Sequence, residues 1–143
     1  MSLLALDNLV RIGQLKAEAR NETECRRLLA MARVHLADSG LVGASREGRF
    51  LSAYNAAHAA ALVALRHHGY RSENRFTVFQ CLAHTLGWGA PCWRVLDAAH
   101  QKRNLAEYEG LLEVEDSTVA ELRTLVAQLI NEAAALEAGI QAE

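Results

Sequence analysis

Proline is almost missing from this chain of 143 residues: the only one is Pro91. Aromatic side chains are scarce at 6%, and no stretch alternates apolar with polar residues in the manner of a strand. Few helix breakers and few strand formers leave an all-α fold as the expectation. Cysteine is limited to Cys25, Cys81 and Cys92, an odd number at wide spacings without a CxxC pair. A disulfide framework or zinc knuckle is not expected from that set, and buried free thiols in a reducing cytoplasm are. An excess of one charge is also missing: 15 Lys and Arg stand against 17 Asp and Glu, a net charge of −2. The chain is therefore no broadly basic nucleic-acid binder, and any such contact must come from a local patch. Basic residues gather at Arg26, Arg27 and Arg33, at Arg66, Arg71 and Arg75, and at Lys102 and Arg103.

No apolar run reaches membrane-spanning length. The first apolar residues are broken up by Asp7, Asn8 and Arg11, which does not fit a signal peptide. A glycine-rich phosphate loop, a GxSxG elbow and an HExxH pair are all lacking. His67 and His68 point about 100° apart on a helix and neither has a ligand four residues on. Neither a metal nor another cofactor is expected.

What is present is half apolar residues (51%), rich in Ala and Leu, enough for one core in one domain. The pattern predicts helices over about Leu3–Ala19, Glu22–Asp38, Arg46–His68, Glu73–Leu86, Pro91–Glu109 and Val119–Ala138. Asn21 and Glu24 form a capping box, as do Thr118 and Glu121; Ser72 is the expected cap of the fourth helix. The inward stripes are Leu3, Leu6, Leu9, Val10 and Gly13; Cys25, Leu28, Leu29, Ala32 and Leu36; Leu51, Tyr54, His58, Leu62 and Leu65; Phe76, Phe79, Leu82 and Ala83; and Leu122 to Leu136. Trp88 and Trp93 suit the core or a dimer interface. Short connections favour an antiparallel up-and-down bundle of four to five main helices. An N-terminal amphipathic helix, residues 1–20, packs on it within the single domain 1–143.

The stretch His100–Gly110 carries the candidate chemistry. At 100° per residue, His100, Arg103, Asn104, Glu107 and Tyr108 share an arc of roughly 140°, continuing an apolar stripe begun by Trp93 and Leu96. Arg94, Gln101, Lys102 and Glu109 point the other way. Polar groups on a face turned toward protein need partners or a use. Arg103 can hold a phosphate with a bidentate fork. Asn104 can orient it or meet a base edge, His100 can move a proton, and Tyr108 can stack. An ordinary polar network closed by an Arg103–Glu107 salt bridge is the alternative. His58, on the apolar stripe of the third helix, is either a satisfied core residue or a neighbour of this cluster; the sequence does not set that register.

Two stretches give the chain a resemblance to the HEPN superfamily of small all-helical domains. Arg49-Phe50-Leu51-Ser52-Ala53-Tyr54-Asn55-Ala56-Ala57-His58, continuing to Gly69-Tyr70-Arg71, is similar to that family's second bundle helix. Arg103-Asn104-Leu105-Ala106-Glu107-Tyr108 resembles its Arg–polar–x3–His signature. The likeness runs from about Glu22 to Ala138. It implies a homodimer whose active members cut RNA without metal, using Arg and His from both subunits. Arg103 and Asn104 match the signature, but Tyr108 stands where it has His. A phenol of pKa about 10 replaces an imidazole poorly near neutral pH. The resemblance therefore implies a dimeric cytoplasmic module that binds RNA or a nucleotide without efficient cleavage. The alternatives are a toxin-type endoribonuclease with His100 or His58 supplying the base beside Arg103, and a regulatory scaffold for a partner protein.

Overall fold

A computed structural model describes residues 2–142, with side chains described over residues 4–139. The elements are α1 (Ser2–Arg11), β1 (Lys16–Ala17), α2 (Glu22–Asp38), α3 (Arg46–His67), β2 (Tyr70–Arg71), α4 (Arg75–Gln80), α5 (Leu82–Thr85), α6 (Ala90–Glu109) and α7 (Asp116–Ala142). The chain is an all-α bundle with one small two-stranded ribbon. No helix among the described residues is long and apolar enough to cross a membrane.

α3 lies at the centre. It packs along α2 and α7 and meets α4, α5, α6 and β2. Its alanines make this possible, because small side chains let neighbouring helices approach on every side. Ala53, Ala56, Ala57, Ala59, Ala60, Ala61 and Ala64 are all buried, between the larger Phe50, Tyr54 and Leu65. Ser45 caps α3 by accepting from the Gly48 amide at 2.9 Å, which satisfies one of the orphan donors of the first turn. α2 starts where the capping box placed it, with Asn21 accepting from the Glu24 amide at 2.8 Å. From α2, Cys25 and Ala32 are fully buried against α3, and from α7, Val126, Leu129 and Ala133 are.

The first helix is shorter than the sequence pattern suggested. Gly13, read as part of its apolar side, sits at φ 80° instead. The Gly13 amide donates to Val10 O and the Gln14 amide to Leu9 O, the paired bonds of a glycine-terminated helix. The chain then extends, and β1 pairs antiparallel with β2, Lys16 opposite Arg71 and Ala17 opposite Tyr70. Two residues per strand are too few to show an alternation, so this ribbon was not foreseen. Leu6 is buried as expected; Leu3 lies outside the residues whose side chains are described.

The expected fourth helix is two. At Cys81 the backbone turns to ψ −14°, and the His84 amide bonds to Cys81 O, three residues back, at 2.8 Å. That tighter turn ends α4 and starts α5 in a new direction. The cap is Asn74, accepting from the Thr77 amide at 3.1 Å, and Ser72 instead accepts from the Asn74 amide. Phe79 and Leu82 are buried, whereas Phe76 is partly exposed and Ala83 exposed. α6 has Pro91 in its first turn and ends at Gly110 in the left-handed region. α7 begins three residues before the sequence placed it and runs four further.

Candidate functional site

Three helices meet around His100. From α6, its Nδ1 lies 2.8 Å from the Tyr54 hydroxyl of α3, and its ring stacks on Tyr54 with centroids 6.1 Å apart. Phe79 of α4 stands edge-on to both rings, and edge-on to His58 as well. On the far side, Asn104 Nδ2 lies 3.3 Å from His100 Nε2, and Arg103 donates to Asn104 Oδ1 at 3.4 Å. With Asn104 oriented that way, the bonds have one consistent direction. Arg103 donates to Asn104, Asn104 donates to the Nε2 lone pair, and His100 donates Nδ1–H to Tyr54. Tautomer and amide orientation follow from this network rather than from visible hydrogens. The lone pair a general base would use is occupied by Asn104.

Two guanidinium groups flank this chain of bonds. Arg75, the first residue of α4, lies over the Tyr54 ring at 5.4 Å and donates to Asn55 Oδ1 at 3.4 Å. Among the described residues no carboxylate pairs with it. Arg103, with 27% of its side chain exposed, has Glu107 at 3.5 Å, itself 56% exposed. An ion pair that open to water is worth under about 1 kcal/mol, so Arg103 is free to exchange it for a stronger anion. Tyr108 is 80% exposed and stands clear of the network.

The histidines report the local charge. Burial pushes His58 down to about 4, helped by Arg75, His100 and Arg103. Burial also lowers His100, with Arg103 and Arg75 adding to the effect and Asp97 opposing it. Both rings are therefore neutral at pH 7. The Tyr54 hydroxyl is raised by burial, against the pull of Arg75. His58 Nε2 is buried and has no hydrogen-bond partner among the described residues. Two guanidinium groups beside desolvated, neutral imidazoles give the spot a local positive potential that favours an anion.

His58, His100, Arg103, Asn104 and Glu107, the residues named from sequence, thus gather on one face, with Tyr108 at its outer edge. Tyr54, Asn55 and Arg75 were missed as members. Tyr54 stands four residues before His58, a spacing that puts both on one helix side, but it reads as core. Arg75 was grouped with Arg66 and Arg71, which the fold separates from it. Arg66 is 1% exposed and spends its donors on Glu24, Glu18 O, Ala19 O and Tyr70 O. Arg71 pairs with Glu18 and Glu24. Only Arg75 of the three keeps its charge available.

Other polar groups are structural. His67 and Arg20 share Glu137, Trp88 donates to Glu132 at 2.9 Å, and Lys102 reaches Glu113 O at 3.2 Å. Surface clefts of about 550 and 640 Å³ open elsewhere, one beside Arg66 and Arg27, the other beside Arg46 and Lys102. Cys25 and Cys81 are buried thiols, each raised to about 11 chiefly by burial. No protein-family model matches the chain, and neither does any curated protein or solved structure.

Proposed function

We propose that the chain is a HEPN-like module that binds RNA through the face formed by Arg75, Arg103, Asn104 and His100, without cutting it efficiently. One observation carries this reading: two guanidinium groups, one with no carboxylate among the described residues and one with only an exposed carboxylate, stand beside neutral imidazoles on a partly open face. Fixed cations without full compensation are a poor way to stabilise a monomer and a good way to hold phosphates. Binding is favoured over cleavage because Asn104 occupies the His100 lone pair and Tyr108 replaces the signature histidine. Following the resemblance, the module acts as a cytoplasmic homodimer.

The test is binding of a short labelled RNA to the wild type, Arg75→Ala and Arg103→Ala. Each substitution is expected to weaken binding roughly tenfold, the size of one charge-assisted hydrogen bond, and to flatten the salt dependence. Affinities equal to wild type in both would end the reading. Incubation with RNA in a chelator is expected to leave it intact. Cleavage between pH 5 and 8 that disappears in His100→Ala would instead make the chain a nuclease.

A further inference from the structure

We propose that Phe76 and Trp93 form a base-stacking step beside this cationic face, so that its ligand is single-stranded RNA rather than a duplex or a free phosphate. The inference rests on the RNA-binding reading above and adds what is recognised besides charge. Phe76, next to Arg75 on α4, is 38% exposed, and Trp93 on α6 is partly exposed. Their rings meet edge to face at 6.3 Å. Both side chains keep part of their surface open at the α4–α6 seam.

The placement matches a nucleotide chain. Trp93 precedes His100 by seven residues, two turns, so both lie on one side of α6. Along α6, at ~1.5 Å per residue, Trp93 is about 10 Å from His100 and about 15 Å from Arg103. That span exceeds the reach of one base from its own phosphate, so a strand of more than one nucleotide is needed to touch both the rings and Arg103. The same two helices also set the buried Phe79 against His100, so the exposed pair and the ordered site share one α4–α6 seam. Every base has a π-face, so stacking selects unpaired bases without selecting sequence. In a duplex those faces are already covered.

Fluorescence separates this from a surface pair with no ligand. The chain has two tryptophans; Trp88 is 5% exposed and hydrogen-bonded to Glu132, so quenching by a stacked base reports on Trp93. Single-stranded RNA, an abasic strand of equal length, the matching duplex and adenosine monophosphate would each be titrated into wild type, Phe76→Ala, Trp93→Ala and Trp93→Phe. The single strand is expected to quench and to bind on the order of tenfold more tightly than the abasic strand. Duplex and mononucleotide are expected to bind more weakly than the single strand. Trp93→Ala and Phe76→Ala should erase that advantage while leaving abasic binding unchanged, and Trp93→Phe should keep most of it, by anisotropy of the labelled strand. Equal affinity of wild type for abasic and base-bearing strands overturns the stacking step and leaves the phosphate reading standing, as does a duplex or mononucleotide matching the single strand. Loss of abasic and base-bearing binding together in Trp93→Ala, with an unchanged helical spectrum, also overturns it. No binding of any strand removes both proposals.

Discussion

His58 concentrates the energetics of the site in one residue. Its ring is held at about 4 in the fold against about 6.5 in an unfolded chain. Between those values the unfolded state binds the proton and the folded state does not, so stability falls as the pH falls from 6.5 toward 4. The loss from this group reaches about 3 kcal/mol at the low end. Urea midpoints at pH 7 and pH 4.5 should therefore differ less in His58→Leu than in wild type; an identical difference would show that the ring is solvated. Glu24 and Glu137, lowered by their hydrogen bonds to arginines against the cost of burial, lose stability in the same direction in both proteins, which is why the comparison is between variants. An anion at the site reverses the effect on His100, whose resonances should titrate at higher pH once RNA is bound. The residues that carry this chemistry were legible to different degrees. Arg103 and Asn104 stand together on one turn and could be read directly. Tyr54 looked like core because its hydroxyl meets a partner 46 residues away, and only packing supplies such a partner.

Among elements, the short α4 decides whether the site assembles. It is six residues long, too short to hold its shape alone, and it carries both Arg75 and Phe79. Its start depends on Asn74, whose side chain holds the Thr77 amide. Asn74→Ala is expected to cost about 1 kcal/mol of stability and to weaken RNA binding as well, since Arg75 follows the cap directly. Gly110→Ala serves as the counterpart: it strains the left-handed end of α6 by roughly 1 kcal/mol at a residue whose added methyl meets nothing within 4 Å, and RNA affinity should hold. Equal effects of the two on binding would show that α4 has no special part. Helix limits were readable where a cap or a first-turn proline at one end and a glycine stop at the other bracket one apolar period, as in α2 and α6. The break at Cys81 was not, because nothing in Phe79-Gln80-Cys81-Leu82 forbids a continuous helix; past the tight turn α5 packs on α1 and α3, partners distant in sequence.

Across the whole molecule, Arg66 ties the N-terminal segment to the bundle. Buried, it bonds Glu24 at 2.6 Å and three backbone oxygens, two of them just after β1. Arg66→Met is expected to lower stability by roughly 3–5 kcal/mol, because carbonyls and a carboxylate built around a cation lose it; denaturant melts measure this, and a loss below 1 kcal/mol would make the ribbon ornamental. Apart from Tyr70 O, the partners of Arg66 and Arg71 lie more than 40 residues from them in sequence, so a local reading saw only a basic cluster. The alanine-lined α3 has a different outcome for motion. Hemmed in by α2 and α7, it should exchange its amide hydrogens last, and it contributes Tyr54, Asn55 and His58 as an anvil that does not give. Whatever reshaping a ligand demands then falls on the α4–α6 side, which can shift outward without disturbing the seams on the opposite flank.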